Sequence, residues 1–294
     1  MTTLTTTAAQ TAPKDVRKRV KQRKKRGERI LHWFTWALIV WLALPIAVVI
    51  LFSFNNPHGR YNYTWTGFTL KWWGPALLQY PELTTAMEHS VEVAVIATLG
   101  ATILGTLIGL ALGKYRFRGE SATNLVQFAC IAAPEVVLGS SLATFFLQLR
   151  FREGMLTVIA AHIMFCVSFV AITVRARVLT LDPSVEEAAK DLGAGPWETF
   201  RLVTLPMIMP GVVAGALLVF ALSIDDFITT EFTSGSFMTY PLWILSVSRQ
   251  GLPPQADVMG SIIFLGGVLA AGGWALFQRR RALPSGCGIG CGTR

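Results

Sequence analysis

The chain has 294 residues, of which 52% are hydrophobic and only 15% charged, with a mean hydropathy of +0.50 and a formal charge of +9. A soluble fold of this length has no core large enough to hide so much apolar surface, so the composition excludes an ordinary soluble enzyme or binding domain and points to a membrane protein.

Residues 1–13 are rich in Thr and Ala, and this composition predicts disorder. The run "KDVRKRVKQRKKR" that follows would suit nucleic acid or a membrane surface, and its place beside the first apolar stretch favours the membrane. Together they form a basic arm over 1–32. A bilayer core of about 30 Å requires about 20 apolar residues per helix. Stretches 33–54, 93–112, 125–147, 155–174, 207–230 and 258–277 meet that length or nearly so. They are rich in Leu, Ala, Gly and Ile without strict alternation, so six helices are expected rather than outer-membrane strands. The first lacks a small-residue cleavage site and reads as an uncleaved anchor.

The connection over 55–89 is long and aromatic, with Trp65, Trp72 and Trp73 expected as headgroup anchors. "NYT" at Asn62 is a chance-level sequon. The loops "GKYRFRGES" and "QLRFREG" are short, which makes spans two, three and four tight antiparallel neighbours. "GLALGKY" lacks the glycine spacing and the hydroxyl residue of a phosphate-binding loop. No HExxH, Ser-His-Asp or dinucleotide fingerprint occurs, so the chain reads as no enzyme, and its power must come from elsewhere. Cys130 and Cys166 fall inside spans as small hydrophobes, whereas Cys287 and Cys291, in "CGIGC", have the wrong spacing for a metal or redox motif. The tail over 279–294 is expected to be disordered and cytoplasmic, after a permease domain over 33–278.

Orientation follows from the 26 Lys and Arg. With the N-terminus inside, 21 of them fall on inside segments and 5 outside, so both termini are expected in the cytoplasm.

The largest inside loop is 175–206, between spans four and five. Asp182 reads as an N-cap, Pro183 as the first helical residue, and Gly193 as a stop. Val185, Ala188, Ala189 and Leu192 share one face, with Glu186 and Lys190 paired on the other. "GAG" turns the chain and Pro196 starts a second short helix. These residues resemble the loop of the integral membrane subunits of bacterial ABC importers: EAA, three residues, Gly, nine residues, an aliphatic residue, any residue, then Leu-Pro. Glu187, Ala188, Ala189, Gly193, Val203, Leu205 and Pro206 fit that spacing, with Val203 in place of the usual Ile. The resemblance implies a type I importer permease fold and a coupling helix around Gly193, Ala194, Gly195, Pro196 and Trp197. This helix would dock on a separate ATPase, which would carry the ATP and Mg. It further implies a second permease subunit, an external solute-binding protein and residence in the bacterial inner membrane. The chain itself binds no cofactor and no metal in this reading.

Ionisable residues inside a span are costly and hence candidates for function. In "SIDDFITTEF", Asp225 lies about 27 Å along the span from Met207, towards the outer side. Asp226 is turned about 100° from it, so one of the two can line a path while the other caps or pairs. Glu135 follows Pro134, a kink-capable residue in span three. Glu92, Glu231 and Asp257 read as headgroup residues. Acids at the outer half suit a cationic solute. "LPMIMPGVVAGALLVFALSIDDFITTEFTSG", "LPIAVVILFSFN" and "APEVVLG" are similar to the spermidine/putrescine permeases of the C type, which implies a polyamine substrate. Permeases for ferric iron, thiamine or anions share the loop. A proton-coupled secondary transporter and a non-transporting scaffold are the rivals from other classes.

Overall fold

The structure, a computed structural model, describes residues 14–282. Cys287 and Cys291 lie outside the described residues, as does the Thr- and Ala-rich start. The chain is almost wholly helical, and the one ladder contact among the described residues is an isolated bridge between Asn55 and Phe68. Among the described residues five helical runs are long and apolar enough to cross a bilayer, and a bent pair of shorter helices meets the same measure when its two halves are taken together.

Helix α1 (Lys14–Phe52) carries the basic arm into the first span without a break. Helix α2 (Pro81–Lys114), helix α5 (Met155–Val178) and helix α8 (Leu205–Asp225) form the packed centre. Their shared core includes Ala101, Cys166, Val170, Val174, Ile208 and Val219, all buried. Small residues let these helices approach closely, because in a bilayer van der Waals packing, and not water exclusion, holds helices together. At Gly109 of α2 an added Cβ would lie 2.7 Å from the Ala171 carbonyl oxygen of α5, so only glycine permits this crossing. By contrast α1 is unburied along its span and touches the body through helix α11 (Pro254–Ala282).

Span three is not one straight helix. It is a pair, α3 (Glu120–Ala132) and α4 (Glu135–Gln148), bent by 107° at the break. The cause is local: Pro134 has no N–H to give, and its ring drives Ala133 into extended backbone, φ −68° and ψ 135°. Span five likewise stops short of the 207–230 expected. Helix α8 ends at Asp225, Asp226 is extended, and a separate short helix α9 (Ile228–Thr233) follows. Helix α4 packs on α9, with Gly139 against the Phe232 ring, so both breaks belong to one region. Helix α10 (Tyr240–Ser248) leads back to α11.

The outer connection is organised by a fully buried Asn55. Its Nδ2 donates to Asn62 Oδ1 at 2.6 Å and to the Thr64 carbonyl at 2.7 Å, and its Oδ1 accepts from the Thr66 N–H at 2.8 Å. Trp72 Nε1 donates to the Asn55 carbonyl, so this indole is part of the loop's own frame rather than only a headgroup anchor. Asn62 Nδ2 donates to Asp257 Oδ2 at 2.7 Å, so Asp257, which reads as a headgroup residue in the sequence, instead pins the loop to α11.

Candidate functional site

The inside loop is a rigid elbow built from short-range bonds. The Ser184 N–H donates to Asp182 Oδ1 at 3.0 Å and opens helix α6 (Ser184–Asp191); the same bond holds the Asp182 carboxyl below its ordinary value. At the other end Gly193 sits at φ +87°, in the left-handed region. Its N–H donates to the Lys190 carbonyl at 2.9 Å and the Ala194 N–H to the Ala189 carbonyl at 3.1 Å. This pair of bonds is the Schellman closure, which satisfies carbonyls that a helix end leaves free. Gly195 then caps helix α7 (Pro196–Thr199), its N–H donating to Glu198 Oε2 at 3.1 Å, with Pro196 at the first helical position.

A wide turn over Phe200–Thr204, with its hydrogen bonds spaced as in a π-helix, joins α7 to α8. Pro206 supplies the reason: its ring cannot sit against the Leu202 carbonyl that an ordinary turn would place there, and the wide turn removes the clash. The result is one apolar helical run over Pro196–Asp225, 30 residues long, with the elbow at one end and the acids at the other.

Glu186 fastens the elbow. Its Oε2 lies 2.5 Å from Lys114 Nζ at the end of α2, and its Oε1 accepts from Thr204 Oγ1 at 2.6 Å in the wide turn. The pairing of Glu186 with Lys190 expected from their spacing gives way to this longer-range brace. Burial alone would raise the Glu186 carboxyl; the bonds from Lys114 and Thr204 and the charges of Lys114 and Lys190 outweigh it and hold the group below its ordinary value. Around this frame the apolar side chains of Leu192 and Trp197 are left in the open, at 90% and 69% exposure, with Val185 and Leu202 also exposed. Trp197 leans on Phe200 with ring centroids 5.6 Å apart, which fixes its direction. The small face of Ala188 and Ala189 sits on the same helix, beside Glu187.

The outer acids fall into two environments. Asp225 and Glu135 are exposed, stand within electrostatic reach of each other, and among the described residues make no bond to another side chain. The Asp226 side chain is only 6% exposed and is fully engaged. Its Oδ2 accepts from the Thr230 N–H at 2.8 Å and from Thr230 Oγ1 at 2.8 Å, and lies 3.3 Å from His162 Nε2. So the member of the pair that caps and pairs is Asp226. His162, 1% exposed on α5, was not among the residues that sequence reasoning singled out. The signal was available, since a histidine within "VIAAHIMF" is as costly in a span as an acid. Lys114 and Thr204 were missed for another reason: they meet Glu186 only through tertiary packing. Among the described residues no group of three or more His, Cys, Asp or Glu is placed to hold a metal ion.

Comparison with known proteins places this architecture. Residues 105–284 match the family model described as "Binding-protein-dependent transport system inner membrane component". The spermidine/putrescine transport system permease protein PotC of Escherichia coli (strain K12) is 36% identical over 240 residues, 81% of this chain and 90% of that one. The putrescine transport system permease protein PotI of the same organism is 35% identical over 260 residues, 83% of this chain and 91% of that one. Among solved structures, a bacterial ABC transporter involved in the import of the acidic polysaccharide alginate aligns with a TM-score of 0.60 at 16% identity, covering 86% of this chain and 97% of that one. An amino acid ABC transporter aligns at 0.55 and 17% identity, covering 70% and 97%. At those identities the structures speak for the fold, an all-α importer permease, and the family model speaks for membership. The chain belongs to the family of inner membrane components of binding-protein-dependent transport systems.

Proposed function

We propose that this permease is the transmembrane subunit of an ATP-driven polyamine importer. Its substrate is spermidine, putrescine or a similar small organic cation, and it has no ATPase site of its own. The observation that carries the reading is the helical run over Pro196–Asp225: it joins an elbow with exposed apolar tips to an exposed carboxylate. Leu192 and Trp197 offer a dry anchor to a partner ATPase, which supplies ATP and Mg. Residues Glu187 to Trp197, with Leu205 and Pro206, form the transmitting loop. The Schellman closure and the Glu186 brace make that loop stiff enough to pass on a displacement instead of absorbing it.

Asp225 and Glu135 supply the substrate path. An ammonium group between two carboxylates gains charge-assisted hydrogen bonds that an anion could not. The names of the polyamine relatives at 35–36% identity support the same substrate class. A second permease chain completes the cavity, an external binding protein delivers the solute, and both termini lie in the cytoplasm with the basic arm on the inner membrane surface. The test is uptake of radiolabelled putrescine in cells carrying the complete operon, with competition by candidate solutes. Competition by spermidine and diamines, lost in Asp225→Asn, supports the reading. Competition by ferric iron, thiamine or an anion overturns the substrate assignment.

A further inference from the structure

Asp226 and His162 form a buried contact inside the membrane region that the permease reading does not use. The donor count at this contact is informative. Thr230 has one hydroxyl proton, and its Oγ1 lies 2.8 Å from Asp226 Oδ2 and 3.2 Å from the Asp226 carbonyl oxygen, so that proton is directed to Asp226. The same oxygen lies 3.0 Å from His162 Nε2 and can only accept there. His162 Nε2 therefore carries a proton, shared between Thr230 Oγ1 and Asp226 Oδ2, the latter at 3.3 Å. On the other side of the ring, Nδ1 lies 2.7 Å from Ser223 Oγ in the last turns of α8. Phe165 packs edge-on against the imidazole with centroids 5.5 Å apart.

One side chain of α5 thus grips both sides of the break between α8 and α9: Ser223 before it, Asp226 in it and Thr230 after it. Asp226 is extended and belongs to neither helix, so the break is held by side-chain bonds, those between Asp226 and Thr230 and those of His162. Asp225 is the residue immediately before, and its direction depends on how the break is held.

We propose that His162 is a positioning residue that locks the α8–α9 break and thereby aims Asp225, opposite Glu135, into the substrate path. The inference rests on the reading of Asp225 as a path residue. It assigns the two neighbouring aspartates different roles: Asp226 is the clasp, and Asp225 is the contact with the cation.

The experiment uses the complete importer with a single cysteine, Asp225→Cys, in a background whose native cysteines are replaced. Reaction with a membrane-impermeant cationic thiol reagent reads how far position 225 is open. Putrescine uptake is measured in parallel in the variants that keep Asp225. His162→Leu should change the labelling rate at position 225 by about tenfold or more and abolish uptake, while the complex still copurifies with its ATPase. His162→Gln, whose amide can donate to Asp226, should restore both to within about threefold. Ser223→Ala, a milder loss on the other side of the ring, should shift labelling in the same direction by less. Equal labelling in His162, His162→Leu and Ser223→Ala overturns the proposal, as does a His162→Gln variant no better than His162→Leu. If Asp225→Asn itself leaves uptake intact, the path reading fails instead, whatever His162 does.

Discussion

Gly193 tests the elbow most directly, because its geometry separates backbone strain from contact. A Cβ built there meets nothing within 4 Å, so no substitution by a small residue can clash. What remains is the φ of +87°, which costs an L-residue about 1–2 kcal/mol. Alanine recovers about 0.4–1 kcal/mol by stiffening the unfolded chain, so Gly193→Ala should lose about 1 kcal/mol net. Asparagine tolerates the left-handed region and should lose less; valine, stiff at χ1, should lose more. Because the loop is exposed, the strain escapes locally: the bonds from the Gly193 and Ala194 N–H groups open before the bundle does. About 1 kcal/mol is about a fivefold population change. Amide exchange of residues 193 and 194 should therefore quicken about fivefold in Gly193→Ala. Substrate-stimulated ATPase of the reconstituted complex should fall in the order Gly, Asn, Ala, Val. Gly193→Asp tolerates the backbone but places a carboxylate beside the docking tip, so it should insert normally and lose coupling. Valine indistinguishable from glycine in both exchange and coupling would refute the strain argument, and normal uptake by Gly193→Asp would refute docking at this point.

Further outcomes are expected at the elbow and at the acids. Leu192→Ser and Trp197→Ser should leave thermal stability within about 0.5 kcal/mol, as exposed positions do, yet lower copurification of the ATPase subunit. Glu186→Gln and Lys114→Met should each cost about 1 kcal/mol, with a coupling energy in a double-mutant cycle that a surface pair without Thr204 would not show. Since the Glu186 carboxyl is held below its ordinary 4.5, its contribution is fully present above that value and lost as pH falls through the lower folded value. The melting gap between wild type and Glu186→Gln should therefore be flat from about pH 6 to 8 and close only in acid. Asp226→Asn should destabilise by about 1–3 kcal/mol, because an amide cannot accept all that the carboxylate accepts. Asp225→Asn should leave stability unchanged and reduce uptake.

The elements whose signal is local were legible in the sequence. The caps at Asp182 and Gly193 are decided within four residues, and the structure closes the elbow where those residues stand. Pro134 marked a kink but not its size, since whether a proline bends a span slightly or by 107° depends on what the two halves then pack against; here α4 lies on α9. The end of span five was misplaced for a related reason. The stretch 207–230 is apolar enough as a whole to be taken for one span, although "DDFITT" at its end is polar and poor in helix formers, and the engagement of Asp226 with His162 and Thr230 shows where the chain breaks. Glu186 illustrates the same limit: spacing offered Lys190, but Lys114 is more than seventy positions away along the chain and adjacent in space.

These fastenings bear on how a push at the elbow would reach the acids. From Pro196 to Asp225 the helical run spans about 44 Å at 1.5 Å per residue, so a tilt of about 5° at one end moves the other by about 4 Å. A rod that long would bend at the wide turn over Phe200–Thr204 and at Pro210 if it stood alone. It does not stand alone. Arg177 Nε donates to the Met207 carbonyl near the inner end, at 3.1 Å, and His162 meets Ser223 near the outer end, so α5 splints α8 across Pro210, while Glu186 holds the wide turn through Thr204 Oγ1. Lys114 and Glu186 tie the same block to α2, whose glycines already seat it on α5. In the proposed mechanism α2, α5 and α8 therefore move as one body with the elbow. The motion need not travel through a chain of side chains, since the carboxylate of Asp225 is carried by the same body that the ATPase would grip.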